Sequence, residues 1–306
     1  MAMDLEYEFT NAGSANNDGR ILARKNLQSG ETVQYSCDNL NWLLTAETTS
    51  TAWGLSWDFG GFGNRWGQAQ TKGTAPGNTI SFDQTTNRVN TSQYGYDLNG
   101  NMTGMPGASG LAYDVDNRLL DVNMNGSLEA YSYLADNKRA WKQTNQGGTV
   151  AEQYYIYGVG GQRVATYSAT FGSGVLTLGY ANKDVYFGGR AIWQNGKAVV
   201  QDRLGSVMAR GNGVGGVETH DYFPYGEERV AATVGDRNKF GTYHRDQTGL
   251  DYADQRYYNS VIGRFLSSDP YEASAKPTLS GSLSRYPYVE NDPTNGGDPN
   301  GLSTVP

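Results

Sequence analysis

Apolar and polar residues alternate over short runs through this chain, and nearly every run is closed by Asp, Asn or Gly. Tyr131-Ser132-Tyr133 sets two aromatic side chains two residues apart, the period that puts both on one face of a strand. The runs end on a recurring unit: an aromatic residue, Asp, two or more linking residues, Gly or Asn, then Arg or Asn and an apolar residue. Copies begin at Phe82-Asp83, Tyr96-Asp97 and Tyr113-Asp114, and weaker ones at Tyr35-Ser36-Cys37-Asp38, Trp57-Asp58 and Tyr131-Ser132-Tyr133. Each unit predicts a strand, a tight turn and a return strand. Asp can accept backbone amides two residues on, and Gly or Asn tolerates the positive φ of the turn. Stacked hairpins would align Tyr, Trp and Phe as cross-strand ladders. Cys37 fills an aromatic slot, so packing is its expected role. The copies recur at irregular intervals, as in an array whose hairpin arms differ in length.

From about residue 185 the texture changes to dense, aromatic, non-repeating segments such as Asp221-Tyr222-Phe223-Pro224-Tyr225-Gly226 and Gly263-Arg264-Phe265-Leu266. The prediction is an all-β chain: a spiralling array of antiparallel hairpins over 1–184, a strand-rich C-terminal module with few or no helices over 185–302, and a stub, 303–306.

Composition agrees. In 306 residues there are 41 Gly and 22 Tyr with only 18% charged residues, a mix that fits many short strands and neither disorder nor collagen. The net charge of −7 argues against nucleic acid or an anionic membrane as main partner. One cysteine excludes an internal disulfide framework and a Cys-based zinc site, and two histidines are too few for a His-rich metal centre, so no cofactor or metal is expected. No apolar run approaches the roughly 20 residues of a membrane span, and the N-terminus shows no signal peptide.

Three groups near the end could carry chemistry: Arg256, Asp269 and Asp298, the last in Asp298-Pro299-Asn300-Gly301-Leu302. Two carboxyls held close would share one proton: the ionised partner activates water, and the protonated one polarises a carbonyl and later protonates the leaving amide. A guanidinium could orient one of them through its planar fork. Spacing alone fits turns equally well, since Asp-Pro and Asn-Gly initiate turns routinely and Asp292-Pro293 lies in the same stretch.

The aromatic-Asp units resemble the YD repeats of Rhs proteins, toxin-complex C subunits and, more distantly, teneurins. The segments Asp202-Arg203-Leu204-Gly205-Ser206, Tyr222 to Glu227 and Gly263 to Ser267 resemble the Rhs-associated core domain. The resemblance implies a β-sheet shell around a variable C-terminal toxin, freed by one self-cleavage, in cis, after an Asp-Pro-x-Gly-Leu motif. It assigns Arg256, Asp269 and Asp298 as the aspartyl-protease-like centre, Pro299 and Gly301 as motif residues, and Leu302–Ser303 as the scissile bond. Implied partners are the chain's own C-terminal extension, the rest of the shell and secretion-system components, in a secreted or cell-surface bacterial protein. This sequence departs from the family in having Tyr271-Glu272 after Asp269-Pro270, in a longer interval to Asp298, and in having only Ser303 to Pro306 beyond the cut. The competing expectation is a non-enzymatic surface or adhesion module that binds protein or glycan partners.

Three other signals read as structure. Gly211, Gly213 and Gly216 spell a dinucleotide fingerprint, but a strand pattern follows where a helix is needed. His220-Asp221 lacks a nucleophile elbow. Trp42, Trp53, Trp57 and Trp66 could form a sugar platform, with core packing the simpler account.

Overall fold

The computed structural model describes residues 3–10, 17–172, 175–229, 237–270, 280–302 and 304–305. All its sheets are antiparallel, and among the described residues there is no α-helix, only 3₁₀ turns such as Phe240–Thr242 and Tyr288–Asn291. The all-β expectation holds. Two compact units form: Met1–Ser92 with Asp221–Ala231 and Asn259–Pro306, and Gln93–His220 with Ala232–Tyr258. Each draws chain from both sides of residue 184.

The first unit is built on a meander of β1 (Leu5–Glu8), β2 (Ala23–Asn26), β3 (Glu31–Cys37), β4 (Leu43–Thr48), β5 (Trp53–Phe59), β6 (Arg65–Gly73) and β7 (Asn78–Thr79), paired in chain order. Its buried face carries Val33, Leu43, Leu55, Trp53 and Trp57. The aromatic segment 222–229 packs on that face. Phe223 meets Trp53 edge-on at 5.0 Å, Tyr225 lies 5.6 Å from Trp57, and the Arg65 guanidinium stacks 4.2 Å over Tyr225. Arg229 stacks over Trp53 and forks onto both carboxylate oxygens of Glu31 at 2.7 and 2.8 Å. Gly263 (φ +64°) threads this layer; a Cβ there would stand 2.8 Å from Arg65 and 2.9 Å from Tyr225, so no other residue fits.

In the second unit a short hairpin, β8 (Gly95–Tyr96) with β9 (Met102–Gly104), precedes a seven-stranded meander: β10 (Ala108–Tyr113), β11 (Leu119–Met124), β12 (Ser127–Tyr133), β13 (Arg139–Gln146), β14 (Thr149–Tyr157), β15 (Arg163–Gly172) and β16 (Val175–Lys183). A five-stranded sheet follows: β17 (Val185–Phe187), β18 (Arg190–Gln194), β19 (Lys197–Gln201), β20 (Val207–Gly211) and β21 (Val217–Thr219). Then come β22 (His244–Arg245), β23 (Asp251–Ala253) and β24 (Arg256–Asn259).

The aromatic-Asp unit has a definite physical content. In Asp114–Arg118 the Asp114 amide donates to the Arg118 carbonyl and the Asn117 amide to the Asp114 carbonyl, with Asn117 left-handed at φ +63°. Asp114 Oδ1 accepts the amides of Asp116 and Arg118, both at 2.9 Å. The same closure recurs at Asp38–Trp42, Asp97–Asn101, Asp202–Ser206 and Asp246–Leu250. This is a turn with a left-handed residue in its last position, where Asn or Gly is least strained.

Consecutive hairpins are then tied through the unit's other letters. The Tyr before each turn donates its hydroxyl to the start of the preceding return strand: Tyr113 to Met102, Tyr133 to Leu119 and Tyr157 to Arg139 carbonyls. At four turns the residue after the left-handed position donates to the next turn's Asn: Arg20 to Asn41, Asn64 to Asn87, Asn101 to Asn117, Arg118 to Asn137. Hydroxyl-to-carbonyl bonds and amide or guanidinium donors to Asn thus tie these hairpins, and the expected cross-strand aromatic pairing is present at Tyr167 and Tyr180, 5.5 Å apart on β15 and β16. Asn117→Ala should cost about 1–2 kcal/mol, from the left-handed backbone and the lost acceptor. Asn117→Gly should cost less than half as much, and urea unfolding of the two variants checks the order.

Gly211 to Gly216 form the hairpin turn between β20 and β21, closed by the Asn212 amide on the Gly216 carbonyl, so the dinucleotide pattern is a turn. Trp42, Trp53 and Trp57 are core residues; Trp66 is 45% exposed. Cys37 is a half-buried free thiol whose burial pushes it up to about 12.

Candidate functional site

Asp269 and Asp298 belong to the first unit and are both buried, at 7% and 4% exposure. Arg256 is also buried and opens β24 in the second unit. Asp269 follows β25 (Arg264–Phe265). Its amide donates to the Arg285 carbonyl at 2.9 Å, and the Arg285 guanidinium bonds the Asp269 carbonyl, so its backbone is fixed on both sides. β25 itself is pinned: Phe265 donates to the Tyr286 carbonyl, and Arg264 lies 4.7 Å over both Phe82 and Tyr286.

The chain reaches Asp298 through an unusual stretch. Val289, Glu290 and Asn291 are successive left-handed residues (φ +43°, +53°, +68°), a conformation that costs non-glycine residues about 1–2 kcal/mol each. Packing holds them there: Val289 and Asn291 are buried, and the Asn291 amide group donates to the Gly63 carbonyl at 2.7 Å. Asp292 then caps its own turn, accepting from Thr294 and from the Asn295 backbone and side chain.

Asp298 to Leu302 repeats the array's turn at the end of the chain. Asp298 Oδ1 accepts the Leu302 amide at 3.0 Å, and Gly301 takes the left-handed position at φ +73°. Beyond it, Val305 pairs back to Gly297 through two backbone hydrogen bonds of 2.7 and 2.8 Å. The Leu302 side of the predicted scissile bond is thus tied to a buried carboxylate, and the loop carrying it is closed at its base. Ser303 and residues 271–279 lie outside the described residues.

A second, larger set of charges escaped the sequence reading. In the second unit Arg139 and Lys142 of β13 are buried against Asp246 and Glu129, all at 4% exposure or less. Asp246 accepts from Arg139 and from Lys142, each at 2.6 Å, and Lys142 lies 3.0 Å from Glu129. Tyr131, Tyr155 and Tyr252 surround the Arg139 guanidinium at 4.3 to 5.3 Å. Burial pushes the Asp246 carboxyl up, but Arg139 and Lys142 outweigh it and hold it well below the usual range. His244 sits beside this set, 3.7 Å from Asp246 and 3.3 Å from Arg163; burial first, then Arg163, keep it neutral. In the structure β12 exposes Leu128 and buries Glu129, with Lys142 3.0 Å away as its countercharge.

No family model matches the chain. It is 26% identical over 274 residues to the tRNA3(Ser)-specific nuclease WapA of Bacillus spizizenii, a match over 84% of this chain. It is 28% identical over 201 residues to toxin subunit YenC2 of Yersinia entomophaga, over 58% of this chain. The chain is thus similar to parts of two larger bacterial proteins, one of them a toxin subunit. It spans 11% of that WapA and 20% of YenC2. The crystal structure of TcdB2-TccC3-Cdc42 superposes with a TM-score of 0.76 at 22% identity, over 98% of this chain and 17% of that one. A Photorhabdus luminescens Tc holotoxin pore with a TccC3 mutation gives 0.76 at 21%, over 99% of this chain and 17% of that one. The fold is that of these toxin-complex β-sheets. Among the described residues no helix is long and apolar enough to cross a membrane.

Proposed function

We propose that this chain is the C-terminal part of a bacterial Rhs-type shell that encloses a toxin and cuts its own backbone once, after Leu302. Asp269 and Asp298 supply the paired carboxyls, and the family resemblance assigns Arg256 the orienting role. The observation that carries the reading is the Asp298 loop: a buried carboxylate bonded to the amide of Leu302, in the same compact unit as buried Asp269. Tethering makes the attack intramolecular, which removes several kcal/mol of association entropy from the barrier. Gly301, with no side chain, would let the backbone approach the paired carboxyls closely. The relatives' names join this fold to toxins; the nuclease chemistry of WapA is not carried over, because the match covers 11% of that protein. Secretion to the cell surface or beyond, the remainder of the shell and a C-terminal toxin complete the proposal.

Intact mass spectrometry of the folded, purified chain tests it. The described bonds holding the tetrapeptide are the two between Gly297 and Val305, and after the cut Ser303 to Pro306 should dissociate. The expected mass is that of a chain ending at Leu302; persistence of the full-length mass after prolonged incubation from pH 4 to 8 would refute the cleavage.

A further inference from the structure

A pocket of about 740 Å³ opens in the first unit between the turn at Gly60 and Gly61 and the segment from Thr79 to Thr91. Pockets for small ligands run from about 300 to 1,000 Å³. Its wall holds three aromatic rings, Phe62, Trp66 and Phe82, and no Asp, Glu, Lys or Arg. Strand alternation turns Trp66 away from its neighbour Arg65, which is buried under Tyr225, and leaves the indole 45% exposed. Trp42, Trp53 and Trp57 are each at most 7% exposed, so Trp66 stands apart from the tryptophans that build the core.

The remaining lining is neutral and hydrogen-bonding. Asn64 and Ser81 are held by other side chains, Asn87 and Ser284 for the first, Asn90 for the second. Thr79 and Gln84 line the same wall, and among the described residues their side chains have no hydrogen-bond partner. A purely apolar occupant would desolvate the Thr79 and Gln84 groups without supplying bonds, and the wall itself presents no charged side chain to an ionic one, Arg264 being buried against Phe82 and Asn64. An uncharged sugar satisfies both halves of the wall, with an apolar C–H face for the indole and hydroxyls for the amides.

We propose that this pocket binds a neutral oligosaccharide, with Trp66 as the stacking platform. This goes beyond the cleavage reading and uses none of its residues. The test is binding of the full chain to an array of neutral glycans, including hexasaccharides of glucose, mannose and N-acetylglucosamine. Sialylated and sulfated glycans and an apolar aromatic peptide are the comparison probes, and positives are titrated by tryptophan fluorescence. At least one neutral glycan should bind; Trp66→Ala should weaken it about tenfold or more, while Trp66→Phe, which keeps a ring, should stay within about threefold. Thermal unfolding checks that both variants fold. The proposal is overturned if no neutral glycan binds, if charged glycans or the peptide bind better, or if Trp66→Ala binds unchanged. Cleavage at Leu302 should be the same in all three proteins.

Discussion

Asp298→Asn and Asp269→Asn are each expected to leave the chain uncut, with cleavage slowed by about 10²–10⁴-fold or more, as for loss of a general acid or base. Asparagine is the informative replacement. Its side-chain oxygen can still accept the Leu302 amide that Asp298 now accepts at 3.0 Å, so the turn survives while the proton chemistry is lost. Alanine would remove both and confuse the two roles. Asp292→Asn is the matched control: Asp292 caps a neighbouring Asp-Pro turn through bonds asparagine can also accept, and should cut at the wild-type rate. Time courses by intact mass give all three rates. Equal slowing by Asp292→Asn would mean that loop geometry, and not the dyad, controls the cut.

Asp246→Ala should destabilise the protein by about 3–5 kcal/mol, the cost of leaving buried charges uncompensated. Glu129 would be the remaining described carboxylate beside Lys142, and the Arg139 guanidinium would be left among tyrosine rings and the Tyr257 hydroxyl. The same cluster predicts acid sensitivity in two windows. His244 is depressed below its ordinary 6.5, so below that pH the unfolded chain binds a proton that the folded chain refuses, and stability falls as pH drops. Asp246 is depressed below 3.8, so a second loss sets in below about pH 4. Asp251, raised by burial against Arg245, opposes this second loss near the same pH. Urea midpoints between pH 8 and 3 measure the curve. His244→Gln should flatten the upper window and leave the lower; an unchanged upper window would exclude His244 as its cause.

Much of this fold was legible because the repeat carries its own chemistry. Asp114, Asn117 and Arg118 each make in the structure the kind of bond that their residue type suggests: the amide acceptor, the left-handed residue and the donor. Tyr113 and Tyr133 were less legible. Aromatic spacing identifies a face, but whether a tyrosine stacks or donates its hydroxyl to a backbone carbonyl depends on the offset between hairpins, which the local pattern leaves open. Glu129, Arg139 and Lys142 were invisible for a related reason. A charged residue in a strand reads as solvent-facing unless its countercharge is known, and Asp246 lies more than a hundred residues away. At the candidate site, Asp298 was named from its motif, yet the same five residues also form the array's ordinary turn, so turn and catalyst are read from one signal. The left-handed run Val289–Asn291 had no signal at all, since valine and glutamate rarely adopt that backbone.

Paired aspartates are expected to break one particular bond. A marker domain fused after Pro306 and the amino-terminal sequence of whatever is released test it most directly. The expected result is a freed marker that begins at Ser303, and an intact fusion when Asp269 and Asp298 are both asparagine. A released fragment beginning elsewhere, or release undiminished in the doubly substituted chain, would contradict it.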